Sequence, residues 1–136
     1  MHLTTKGRYA VRVMADIARK NGELTSLADI SARQDVSVKY LEKIISMLAQ
    51  AGLVEGVRGV NGGYRLSRSA SEITIKQILD ATGDNTCLAS CLGGENCPRS
   101  AICDTREVWD YLTNLINGFL QDVTLQNVLD KNYQKK

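Results

Sequence analysis

The stretch that most limits the fold runs from Ser26 to Ser67, where two short helix-forming segments lead straight into a strand, a glycine-rich turn and a second strand. Ser26 followed three residues later by Asp29 has the form of a capping box, and it opens a helix in which Leu27, Ala28 and Ile30 are expected to face inward. Ser37 heads another helix with an apolar stripe of Leu41, Ile44, Ile45 and Leu48, closed by Ala51-Gly52. Two short capped helices joined through Arg33 to Val36 make a helix-turn-helix. Leu53 to Arg58, the turn Gly59 to Gly63, and Tyr64 to Ser67 then spell a β-hairpin. Placed directly after the second helix, such a hairpin is a wing, and this one carries Arg58, Arg65 and Arg68. Glycine keeps its tip slim enough for a groove, and arginine adds charge and a planar fork. The glycines do not form a nucleotide cradle: there is no Walker pattern, no GxGxxG after a strand, and the turn feeds a strand rather than a helix.

The flanking segments are helical. Tyr9, Val13 and Ile17, with Ala10, Met14 and Ala18 beside them, repeat at helical spacing up to a stop at Asn21-Gly22. Thr74 to Ala81 forms a fourth helix that buries Ile75, Ile78 and Leu79 and ends at Gly83. From Asp104 to Val123, Val108, Leu112, Leu115 and Phe119 make one stripe, and Trp109, Ile116 and Leu120 make a neighbouring one. That breadth predicts a helix packed on its own head and on a second copy, although deeper burial in a monomer would produce it too. Asp104 and Glu107 suit the positive end of this helix. The expected fold is mainly α with a small β-hairpin: a winged helix-turn-helix over residues 1–82, a cysteine-rich loop over 83–103, and a dimerisation helix with its tail over 104–136.

Charge supports the division of labour. Residues 1 to 68 hold eleven Lys or Arg against six Asp or Glu, a net of +5, and the remainder hold six against nine, a net of −3. The front half is therefore the surface for a polyanion. Seven aromatics in 136 residues leave Leu, Ile, Val and Ala to build the core, which suits packed helices. Met1 to Met14 contains no apolar core segment and carries Lys6, Arg8 and Arg12, unlike a signal peptide, and no run reaches membrane-spanning length. A cytoplasmic chain is expected. All four cysteines fall between positions 87 and 103, and in a reducing compartment that clustering points to metal or redox chemistry rather than disulfides.

Several segments together resemble a known bacterial family. Met1-His2-Leu3-Thr4-Thr5-Lys6-Gly7-Arg8-Tyr9-Ala10-Val11, Leu27-Ala28-Asp29-Ile30-Ser31, Tyr40-Leu41-Glu42, and Val57-Arg58-Gly59 through Gly62-Gly63-Tyr64 are similar to the IscR-type iron-sulfur cluster regulators, a family that also holds NsrR-type nitric-oxide sensors and the cysteine-metabolism repressor CymR. The resemblance covers nearly the whole chain. It implies a homodimer on double-stranded, pseudo-palindromic operator DNA, with Glu42 reading a base edge and Arg58 entering the minor groove. Chemistry agrees, because a glutamate can accept from the cytosine amine and arginine favours a narrow groove. Lys39, Tyr40 and Arg65 are expected beside them on DNA. Without the resemblance, Glu42 would serve equally well as a solvated partner of Lys39 or Lys43.

Cys91, Cys97 and Cys103 have the spacing C-x5-C-x5-C with Gly93, Gly94 and Pro98 between them, which matches the spacing in the family. Thiolates are soft, charged donors for iron, so an iron-sulfur cluster is the expected cofactor, with [2Fe-2S] favoured by the resemblance and [4Fe-4S] open. The fourth ligand departs from the family. IscR-type members use a histidine three residues past the third cysteine, where this chain has Arg106, and NsrR-type members use a partner aspartate, where it has Arg8. Arginine stays protonated and cannot ligate. Cys87, Glu107 and Asp104 are the local replacements, with an all-thiolate site through Cys87 placed first. Zinc is the alternative metal, although Cys97 and Cys103 are spaced too widely for the usual close pair. A metal-free regulator would leave the cysteine loop without a purpose. A thiol enzyme lacks both a CxxC and a neighbouring base, so no enzyme is expected. A helix-turn-helix that holds a protein partner is the third class, separable by salt-sensitive duplex binding.

Overall fold

The computed structural model describes residues 3–84, 87–88, 98–99 and 101–133. Among them run α1 (Thr5–Arg19), α2 (Leu27–Gln34), α3 (Val38–Gln50), β1 (Val54–Val57), β2 (Gly63–Leu66), α4 (Ile75–Ala81), α5 (Arg106–Asp122) and α6 (Leu125–Asp130), with a short 3-10 turn at Ala70–Glu72. The mainly helical class with one hairpin is the expected one.

Every α-helix but α5, whose Thr105 makes no side-chain capping bond, starts where a hydroxyl satisfies its unpaired amides. Thr4 accepts from Gly7 N, Ser26 from Asp29 N and Ser37 from Tyr40 N. Fully reciprocal capping boxes occur at Thr74 with Gln77 and at Thr124 with Asn127. Left-handed residues close the first two helices, Asn21 at φ 52° after α1 and Asp35 at φ 54° after α2.

The core lies where α1, α3 and α4 meet, built from Ala10, Val13, Met14, Ile17, Ile30, Leu41, Ile44, Leu48, Ile73, Ile78 and Leu79. Burying each large aliphatic side chain contributes about 1.5–3 kcal/mol, so this cluster carries the head. In α2 only Ile30 is fully buried; Leu27 is half-buried and Ala28 faces solvent. The inward placement expected for Ala28 is corrected by geometry, because two residues before Ile30 means about 200° around the helix.

β1 and β2 pair antiparallel with Val54 opposite Leu66 and Val57 opposite Gly63. Thr25 adds a bridge to Tyr64 on the other edge, through Thr25 N to Tyr64 O at 3.0 Å and Tyr64 N to Thr25 O at 2.8 Å. A side chain at Gly63 would meet that Thr25 backbone, so the close approach of the wing to the α2 entrance requires glycine there.

Beyond the loop, α5 packs against α4 but buries only Thr113 completely. Val108, Leu112, Leu115 and Phe119 remain 39–56 % exposed, and Trp109 and Tyr111 are exposed beside them, while Ile116 and Leu120 turn partly toward the head. The chain then returns. Ile75 N donates to Val123 O and Leu125 N to Ile73 O, both at 2.9 Å, so Val123 and Leu125 enter the head core and α6 lies against α1.

Candidate nucleic-acid interface and cysteine loop

The first turns of α3 form an open surface lined by Ser37, Lys39, Tyr40, Glu42 and Lys43. Lys39 and Glu42 are exposed. The ion pairs among the described residues are Arg33–Asp16, Arg65–Glu55 and Lys76–Asp80, so neither Lys39 nor Lys43 ties up Glu42. Tyr40 is half-buried and meets Tyr9 edge to face, with ring centroids 6.0 Å apart. Arg12 lies 4.9 Å over the Tyr9 ring, which adds an exposed guanidinium next to α3. Sequence reasoning missed Arg12, since nothing in its helical spacing links it to α3.

The three wing arginines have three different situations. Arg58 follows β1, is exposed, and makes no ion pair among the described residues. Arg65 sits on β2 with its Nε 2.7 Å from Glu55 Oε1 across the hairpin, so its charge is already partnered. Arg68 stands at the base, its guanidinium reaching Gly52 O and Glu72 O at 3.4 Å. The tip is a tight turn closed by Gly62 N to Gly59 O at 3.0 Å, and it leaves Val60 wholly in solvent. A shallow cleft between wing and α2 is lined by Ser26, Leu27, Gly56, Arg58, Gly62 and Tyr64. Arg58 and the α3 surface thus flank α2 on a basic half, but Arg65 is held on the hairpin face.

What fixes wing and helices to each other is a buried carboxylate. Asp16, 3 % exposed, accepts from Arg33 Nη2 at 2.7 Å and from Gln34 Nε2 at 2.7 Å. The same Arg33 Nη2 donates to Thr25 Oγ1 at 2.7 Å, and Thr25 is the residue bridged to the wing. Burial works against ionisation of Asp16, but the hydrogen bonds from Arg33 and Gln34 outweigh it and hold the carboxyl below its usual range. An aspartate on the core face of an apolar helix is the one sequence feature that could have revealed this clamp.

Of the cysteines, Cys87 and Cys103 are described and both are half-buried. Cys91 and Cys97 lie outside the described residues. Cys103 Sγ sits 3.4 Å from Thr105 Oγ1, and hydrogen bonds from the Thr105 side chain and backbone hold its thiol below the ordinary range, which favours the ligating thiolate. Asp104 and Glu107 are exposed beside it, and Arg106 is half-buried. At the other end, Leu88 N donates to Thr113 Oγ1 at 3.4 Å, bringing the start of the loop onto α5. Asn117, one turn beyond Thr113, has a buried Oδ1 with no donor among the described residues. Among the described residues no three Cys, His, Asp or Glu side chains stand together as a metal site, while Cys87 and Cys103 offer partly accessible sulfur, the donor type that iron-sulfur groups take, near the two ends of the loop.

Paired helices with an unpartnered glutamate on the second, and a glycine-tipped hairpin beside them, define a winged helix-turn-helix DNA-binding regulator. The chain belongs to the Rrf2 family of iron-dependent transcriptional regulators, whose profile matches residues 3–131. An HTH-type transcriptional regulator of Haemophilus influenzae is 42 % identical over all of this chain and 91 % of its own length. The HTH-type transcriptional regulator IscR of Photobacterium profundum is 41 % identical over 99 % of this chain and 80 % of its own. Among solved structures, the global cysteine regulator CymR of B. subtilis superposes with TM-score 0.80 at 30 % identity, covering 96 % of this chain and 98 % of that one. T. potens IscR follows with TM-score 0.74 at 34 % identity, covering 96 % and 88 %. These findings bear out the resemblance read from the sequence. No helix among the described residues is long and apolar enough to cross a membrane.

Proposed function

We propose that the chain is a cytoplasmic homodimer that binds a pseudo-palindromic operator and senses iron-sulfur status through its cysteine loop. The observation that carries this reading is the position of Cys103, a half-buried thiol whose pKa Thr105 holds down, three residues before a long helix with an open apolar face. Cysteine chemistry there adjoins the surface that would join two copies. Cys91, Cys97 and Cys103 would hold the cluster, with the fourth position filled by Cys87 first, then Glu107 or Asp104. A bound cluster would supply a redox- and oxygen-sensitive tie between loop segments. The polypeptide does the rest. Lys39, Tyr40 and Glu42 meet the major groove, Arg58 the minor groove, and Arg65 stiffens the hairpin against Glu55 while facing the backbone.

Anaerobic purification followed by visible spectroscopy and iron, sulfide and zinc analysis tests the cofactor. Brown protein with iron and sulfide is expected, and substitution of Cys87, Asp104 or Glu107 should mark the fourth ligand by altering the spectrum. Colourless protein with stoichiometric zinc overturns the cluster. On DNA, Glu42→Ala should lose about 1–3 kcal/mol of discrimination at one base pair while keeping general affinity. Arg58→Ala should weaken every sequence alike and reduce the salt slope by about one. Fluorescence anisotropy across operator variants and salt checks both, and an unchanged base preference in Glu42→Ala would remove its reading role.

A further inference from the structure

The cysteine loop leaves the head at a residue that also holds the beginning of α1. After α4, Gly83 N donates to Asp80 O and Asp84 N to Leu79 O, which is a complete Schellman closure, with Gly83 at φ 77°. That closure fixes the backbone of Asp84, and its side chain, 8 % exposed, turns onto the α1 entrance. Asp84 Oδ2 accepts from Thr4 N at 3.1 Å and Oδ1 accepts from Thr4 Oγ1 at 2.5 Å. Thr4 Oγ1 in turn accepts from Gly7 N at 2.9 Å. The carboxylate therefore sits at the positive end of a fifteen-residue helix, where an anion is stabilised.

Gly7 completes the arrangement. Glycine is disfavoured inside a helix, yet Gly7 is buried in the first turns of α1. A Cβ there would overlap the Asp84 carboxylate, so the close contact needs a residue without a side chain. Three residues after Asp84 comes Cys87, and Leu88 is bonded to Thr113 of α5. The beginning of the loop is thus tied at one point to α1 and at the next to α5. Further along α1, Asp16 grips Arg33 and Gln34 of the helix-turn-helix, and Arg12 reaches Gln34 O.

We propose that Asp84 and Thr4 form a latch through which the state of the cysteine loop is passed to α1 and so to the reading surface. Asp84 is a positioning residue; it neither ligates nor touches DNA. The proposal rests on the sensing role given above. A loop drawn together by its thiolates changes the tension on Asp84, and the Thr4 cap tightens or frays with it. A coupling of this kind is physical only if both ends move one equilibrium.

The test uses full-length protein, as apo form and after anaerobic cluster reconstitution, in wild type and in the variants Asp84→Asn, Thr4→Val and Thr4→Ser. Operator affinity and hydrogen exchange at the amides of residues 4–8 are measured for both forms. Wild type should differ between forms by a factor of about 5–150 in affinity and should show exchange at residues 4–8 that follows the loop. Asp84→Asn and Thr4→Val should still bind the cluster, with the affinity ratio collapsing to within about threefold of one, and Thr4→Ser should restore it because the hydroxyl remains. Cluster-loaded Asp84→Asn and Thr4→Val that both keep the wild-type ratio overturn the latch. Wild type with equal affinity in both forms refutes regulation of DNA binding instead. The latch then stands or falls on exchange, with identical exchange at residues 4–8 in the two wild-type forms overturning it.

Discussion

Arg33→Met is expected to destabilise the fold by about 3–5 kcal/mol at pH 7, because it strands a nearly inaccessible carboxylate with Gln34 as its remaining partner. In wild type, Asp16 is held below its usual range, so it adds stability that is present above the unfolded-state value near 3.9 and disappears as pH falls through the lower folded value. Without the guanidinium, Gln34 and Lys20 alone oppose the burial penalty, the pKa of the Asp16 carboxyl rises from its wild-type position, and the defect shrinks on acidification. Thermal melts at fixed protein concentration should show Tm lower by roughly 10–20 °C at pH 7, with the gap narrowing toward pH 4. Asp16→Asn combined with Arg33→Met should recover part of the loss, since a neutral amide tolerates the site. A loss under about 1 kcal/mol, the scale of an exposed pair, would show that Asp16 is hydrated rather than clamped.

Leu115→Glu should separate the two copies. Leu115 lies with Leu112 and Phe119 along the open stripe of α5, each between 39 % and 54 % exposed, so a charge there leaves the head intact and, in the proposed dimer, is forced into the seam between copies. Sedimentation at micromolar concentration should give monomers of normal helicity. Operator affinity should fall by about two to four orders of magnitude, since each half-site is then bound alone. Asn114→Glu, on the neighbouring solvent face, serves as the control and should stay dimeric. Persistence of the dimer in Leu115→Glu would move the interface off this stripe.

Much of the head was legible in the sequence because its elements announce themselves locally. Ser26 and Ser37 cap the helices they were expected to cap, Ile44, Ile45 and Leu48 lie in the core, and the glycines turn the hairpin. What stayed hidden depends on partners distant along the chain. Asp16 stands on the core face of α1, but its partner Arg33, seventeen residues away, meets it only once the chain is folded. Asp84 and Thr4 are separated by eighty positions, and only the misplaced glycine at position 7 hinted at a close approach. Arg65, read with Arg58 as a DNA contact, also stands opposite Glu55, a pairing set by the strand register. The ligand set of the cysteines follows from distances in space, which a spacing along the chain does not contain.

The return of α6 bears on how two copies could adjust to DNA. Leu88 ties the loop to the middle of α5, and Val123 and Leu125 sew its far end into the same head. The long helix is therefore a strut held at its middle by the loop and at its far end by the head. In the proposed dimer, rolling or sliding of one strut across its twin would add to any shift that the latch passes to α1. If the open stripe of α5 is the seam, a few degrees of roll there would sweep the reading surfaces through an arc along the groove.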